Sequence, residues 1–159
     1  MLNLFKPAAP ERTIFFRVAL RDRRSDLLLR EIQLLRACVG RTLAERPVHV
    51  DAWVVMPRHM ECIWTLPEGD RDFAARWRLI KGRFTRGLLK TEEGAAGPSG
   101  HGARGIWRRG IRAHTIQNAV DYELFMARCW TAPVREGLVA RPEDWETSSF
   151  NKIRPAQAA

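Results

Sequence analysis

Apolar residues recur along this chain in two rhythms. Thr13 to Leu20 (TIFFRVAL) is β-branched and aromatic and runs into the polar turn Arg21 to Arg24, which predicts a strand. From Ser25, the residues Leu27, Leu28, Ile32, Leu35, Val39 and Leu43 recur at helical intervals, predicting a helix over 25–44 with Ser25 as its cap. Val48 to Val55 and His59 to Leu66 read as two strands broken by Met56-Pro57-Arg58 and expected to pair. Asp70 then stands where the N-cap of the next helix belongs. Up to Lys90, Phe73, Trp77, Ile80, Phe84 and Leu88 step by four, three, four and four, which makes one stripe. Residues 91–104 hold Gly94, Gly97, Gly100 and Gly102 with Pro98 and predict a mobile loop. A strand over roughly Gly105 to Ile111 follows, with a short extended piece running to Ile116. Asn118 to Trp130 reads as a helix stopped by Pro133, and Trp145 and Phe150 can pack back on the body.

The order strand, helix, strand, strand, helix, strand, then an extra helix, is that of an α+β, ferredoxin-like split β-α-β sandwich. Its antiparallel sheet would carry two helices on one face, with the first and third strands side by side at the centre. One domain over 13–150 is expected, between tails 1–12 and 151–159.

Composition narrows the class. The chain has 159 residues, 45% of them apolar and six of them Trp, enough for a real core. Cys38, Cys62 and Cys129 are an odd number without Cys-x-x-Cys spacing, which argues against a disulfide framework and a zinc knuckle. No apolar run approaches the ~20 residues of a membrane span, and Met1 to Arg12 lacks a signal-peptide stretch. A cytoplasmic location is expected, with nucleoid association as a variant of it. The formal charge is +9, and Arg outnumbers Lys 23 to 4. Planar guanidinium groups favour bidentate phosphate contacts, so nucleic acid leads the partner classes and membranes do not.

Two sets of side chains carry candidate chemistry. On the second long helix Arg76, Arg78, Arg83 and Arg86 lie off the apolar stripe with few acidic i,i+4 partners, which suits either an anion-facing surface or a solvated one. On the strand beginning at His59, His59 and Glu61 point to the same side about 7 Å apart. Such a pair could hold a divalent cation, or could simply be a solvated strand end.

The run Val54 to Pro67 (VVMPRHMECIWTLP), followed by Trp77-Arg78-Leu79-Ile80-Lys81, resembles the REP-associated tyrosine transposases, single-strand DNA transposases of the His-hydrophobe-His class. Further matching blocks are Gly105-Ile106-Trp107, His114-Thr115-Ile116, Pro133-Val134 with Gly137-Leu138-Val139, and Trp145 with Ser148-Ser149-Phe150. The resemblance spans the chain from about Thr13 onward and agrees with the fold. It implies two strand histidines and a helix residue binding a divalent ion, a helix tyrosine attacking a DNA phosphorus, and a hairpin substrate with a single-stranded flank.

At those positions this chain departs from the family. The first metal position is His59, but the second falls on Glu61; the nucleophile position falls on Arg128, and the Asn before Pro133 is Ala132. Glu61 can still ligate Mg²⁺ or Mn²⁺, leaving a weak or vestigial site, whereas Arg128 cannot act as a nucleophile. The only tyrosine, Tyr122, lies six residues upstream, turned by about 240° and displaced by about 9 Å on a helix, so it is expected to face inward. The expectation is a protein that binds single-stranded or hairpin DNA through Arg76, Arg78, Arg83, Arg86, Arg108, Arg109, Arg112 and Arg128, without strand transfer and without a required cofactor. The rivals are a metal-dependent endonuclease with a rearranged site and a protein-interaction module. Trp107 could stack a base or lie in the core, and His114 is unassigned.

Overall fold

The structure is a computed structural model and describes residues 10–91 and 105–150. After a 3₁₀ turn at Pro10–Arg12 the elements are β1 (Thr13–Ala19), α1 (Leu27–Arg30), α2 (Ile32–Glu45), β2 (His49–Val55), β3 (His59–Thr65), α3 (Phe73–Thr91), β4 (Arg112–Thr115) and α4 (Ala119–Arg135). The strands form one sheet in the order β2-β3-β1-β4, with each neighbouring pair antiparallel. This is the expected α+β arrangement, with β1 and β3 at the centre.

Period-two alternation gives the sheet two unlike faces. Ile14, Phe16 and Val18 of β1, with Met60, Cys62 and Trp64 of β3, meet Leu35 and Cys38 of α2 and the Trp77, Ile80, Phe84 and Leu88 stripe of α3. Trp64 and Trp77 stack here with centroids 4.5 Å apart. Phe15 and Ile63, pointing the other way, meet Tyr122, Met126, Cys129 and Trp130 of α4. The sheet is therefore covered on both faces, by α2 and α3 on one side and α4 on the other. Its β2 edge is closed by the C-terminal segment, where Val54 bridges Ser148 and Ser149 N–H donates to the Trp53 carbonyl at 2.9 Å.

Several elements differ from their sequence expectation. The first helix is interrupted at Glu31 (φ −111°, ψ 35°), while Leu28 N–H in its first turn donates to the Pro57 carbonyl of the β2–β3 turn. Asp72, not Asp70, caps α3, accepting from Ala75 N–H at 3.0 Å. The stretch 105–111 is not a strand: Trp107 alone bridges Leu20, and pairing with β1 resumes only at Arg112. Pro133 lies inside α4. In the last turn its missing N–H removes only the bond to the Cys129 carbonyl, so the helix continues to Arg135. It ends where Gly137 adopts φ +73°, with Gly137 N–H on the Val134 carbonyl and Leu138 N–H on that of Pro133. The Gly-rich loop and both tails beyond Pro10 and Phe150 lie outside the described residues.

Candidate nucleic-acid interface

The side chains with unusual chemistry gather on the α4 face of the sheet. His59, Glu61, Ile63 and Thr65 alternate onto it from β3, and Thr13, Phe15 and Arg17 from β1, with Arg17 directly opposite Glu61. α4 crosses above them. Its Arg128 guanidinium reaches Glu61, Nε to Oε1 at 3.8 Å, and lies 5.7 Å from the centre of the Phe15 ring. Arg17 Nη1 donates to Glu61 Oε2 at 2.9 Å. Beyond the helix end, Glu136 Oε2 stands 3.4 Å from His59 Nε2.

His59 is fully buried and Glu61 is 1% exposed. Burial first, then the charges of Arg17, Arg58, Arg128 and Arg135, drive the His59 pKa down to about 3, so the imidazole is neutral. Burial also raises the Glu61 carboxyl above its ordinary value against the opposing pull of Arg128 and Arg17. Both ring nitrogens of His59, Glu61 Oε1 and Arg128 Nε are buried without a hydrogen-bond partner. Four orphaned polar atoms at one place suit a polar occupant.

A divalent cation suits this donor set poorly. Both oxygens of the Glu61 carboxylate already face guanidinium groups, and the third family position is Ala132, whose methyl offers no donor. Among the described residues no three His, Cys, Asp or Glu side chains close round a common point. In this structure Glu61 is the counter-charge of Arg17 and Arg128, and their positive charges oppose a +2 ion at short range.

Tyr122 lies elsewhere. It is 5% exposed, and its hydroxyl donates to Asp51 Oδ2 at 2.6 Å. Asp51 sits at a β-bulge between Val50 and Ala52 and also accepts from Thr65 Oγ1 at 2.8 Å, at the end of β3 opposite His59. Six residue steps along β3 separate Thr65 from His59, about 20 Å. As expected, the tyrosine points inward.

The other predicted site residues divide. Arg76 is 2% exposed and structural: it pairs with Asp70 at 2.7 Å and donates to the carbonyls of Arg46, Pro47 and Asp72. Arg83 binds Glu45 and Thr42 and ties α3 to α2. Neither presents itself to a ligand, because packing against α2 and its following loop turned part of the polar face inward. Arg78 and Arg86 are exposed on α3, across the sheet from Arg128, so the eight arginines do not form one surface. Arg108, Arg109 and Arg112 are exposed beside Arg17, with which they line one pocket. Trp107 is core, its Nε1 donating to the Lys81 carbonyl and to Thr85 Oγ1. His114 Nε2 pairs with Asp121 at 2.8 Å and its ring stacks on Phe125, fixing the start of α4.

Sequence reasoning missed Arg17 and Glu136. Arg17 alone breaks the apolar run of β1, and that was the available signal; nothing local marks Glu136.

No family model matches the chain. It is 41% identical over 140 residues to the REP-associated tyrosine transposase of Escherichia coli, covering 88% of this chain and 77% of that protein. A candidate member of the same family from Haemophilus influenzae is 30% identical over 139 residues, covering 87% and 79%. Among solved structures, a REP-associated tyrosine transposase bound to a REP hairpin matches with TM-score 0.79 at 40% identity, covering 89% of this chain and 78% of that one. A candidate transposase from Deinococcus radiodurans, 12% identical, matches with TM-score 0.53 over 79% of this chain and 89% of its own, and shares the fold.

Proposed function

The chain belongs to the REP-associated tyrosine transposase family, and from that premise we propose that it binds hairpin DNA with a single-stranded flank and does not cut it. The observation that carries this reading is Arg128, held against Phe15 with its Nε 3.8 Å from Glu61, at the residue that the family resemblance matches to the attacking tyrosine. A guanidinium stays protonated at every physiological pH and has no lone pair to offer phosphorus, yet it is well suited to hold a phosphate. Arg17 stands beside it, so the positive charge that a metal would supply is carried by the protein. No step of the proposed activity requires a divalent ion or other cofactor. A solved relative is bound to a REP hairpin, which supports the same ligand class here.

The test is incubation of the purified protein with end-labelled REP-type hairpin DNA and Mg²⁺ or Mn²⁺. A retarded complex is expected, equally strong in a chelator and weakening steeply with salt, with neither covalent adduct nor nicked strand. Arg128→Ala should lower affinity and make the salt dependence shallower by about one phosphate contact. A covalent adduct or nick that disappears in His59→Ala would overturn the reading.

A further inference from the structure

At the β4 edge, Arg17, Arg108, Arg109 and Arg112 surround a pocket of about 370 Å³ completed by Ala19, Gly110 and Ile111, with no carboxylate on its wall. Arg17 and Arg112 are directly opposite on neighbouring strands. Like charges in that register oppose pairing unless an anion lies between them. Among the described residues Arg108, Arg109 and Arg112 form no ion pair, and Arg17 pairs only with Glu61. Four planar, permanently charged forks around one concavity are chemistry for phosphate.

The pocket is built, not incidental to a loose loop. The Leu20–Trp107 bridge and the bond from Arg108 N–H to the Ala19 carbonyl pin its beginning. Gly110 turns it at φ +73°, a conformation that side chains disfavour. Lys81 Nζ on α3 donates to the carbonyls of Arg108 at 3.2 Å and Gly110 at 2.8 Å, 5.9 Å from the centre of the Trp107 ring. Lys81 thus faces the loop's carbonyls, while the arginines line the pocket.

Arg17 connects this pocket with the site above. It lines the pocket and holds one oxygen of Glu61 while Arg128 faces the other, so Arg17 is shared between the two places. We propose that the arginine pocket is a second phosphate subsite, taking a phosphodiester of the single-stranded flank of the DNA whose neighbouring phosphate faces Arg128. This rests on the binding function proposed above and adds the path of the strand. A recessed pocket favours a flexible strand, whose phosphates can bend inward, over a duplex ridge.

The experiment compares one hairpin with and without a five-nucleotide flank, by fluorescence anisotropy across a salt series. The proteins are the full chain, its Arg109→Gln/Arg112→Gln variant, and Arg78→Gln as a control across the sheet. The double variant should lose about tenfold in affinity for the flanked hairpin, with a salt slope shallower by about one, and change little on the blunt hairpin. Arg78→Gln should leave both unchanged. Unaltered flanked-hairpin binding in the double variant, or an equal loss on both DNAs, would overturn the subsite. Failure of the wild-type chain to bind any hairpin would instead overturn the binding function. In that event, titration of short oligothymidylate against the arginine side-chain NMR signals decides the subsite alone: shifts at Arg109 and Arg112 support it, and their absence ends it.

Discussion

The two ends of the α4 face of the sheet hold buried polar groups in opposite conditions. At the Thr65 end, Asp51 accepts from Tyr122 and Thr65, and Thr13 and Thr65 share a hydrogen bond at 2.9 Å, so a buried carboxylate is matched by short bonds from named donors. At the His59 end, a neutral imidazole and a carboxylate face two guanidinium groups, and four polar atoms remain without partners. The same strands and the same helix build both. The difference teaches that the fold does not require the His59 cluster in its present form: a polar group buried for stability is normally satisfied, and one left unsatisfied is poised for something outside the chain.

The largest expected effect breaks the satisfied end. Tyr122→Phe removes a hydrogen bond to a buried carboxylate and should destabilise the fold by about 2 kcal/mol, read as a lower midpoint in urea, with hairpin affinity unchanged. A stable variant with impaired binding would reverse the roles assigned to the two ends. Next, Glu61→Gln acts on the orphaned end. The carboxylate competes with phosphate for Arg17 and Arg128, so removing its charge should tighten hairpin binding several-fold, up to about tenfold, by raising the local positive potential. Because both arginines are partly exposed and water can cover them, stability should change little; weaker binding by anisotropy would sink this account. The smallest effect concerns alkaline pH. Burial, then the bond to Asp51 and its charge, raises the Tyr122 pKa above its ordinary value of 10. The unfolded chain therefore loses the phenolic proton first, and stability contributed below pH 10 declines as pH rises beyond it, by about 0.8 kcal/mol at pH 10.5. Tyr122 is the only tyrosine, so tyrosinate absorbance should appear only with unfolding; ionisation in the folded protein would show that its hydroxyl is not enclosed.

Much of the fold was legible because its signals are local. The aromatic and β-branched run of β1 and the stripe from Phe73 to Leu88 specify element type and buried face without knowledge of neighbours. The element order then constrains the sheet. Errors arose where a tertiary contact competed with a local rule. Pro133 should end a helix, but a full Schellman close beyond it carries α4 onward. Trp107 and its arginines look like strand, yet Trp107 is core and the Lys81 tether and Gly110 hold Arg108 and Arg109 as a pocket wall. Periodicity could place Arg76 off the apolar stripe but could not show that Asp70 and three carbonyls would enclose it.

The candidate site divides along the same line. Residue identity alone told what Arg128 and Ala132 are able to do, a guanidinium that holds anions and a methyl that donates nothing, because chemical capability belongs to the side chain wherever it is placed. Which charges meet was decided only by folding. Cross-strand register brought Arg17 to Glu61 and Arg112 to Arg17, and the crossing of α4 brought Arg128 and Glu136 to the buried end of β3. Electrostatic interactions depend on separations of a few ångströms and on exclusion of water, and neither is written in the spacing of residues along a chain.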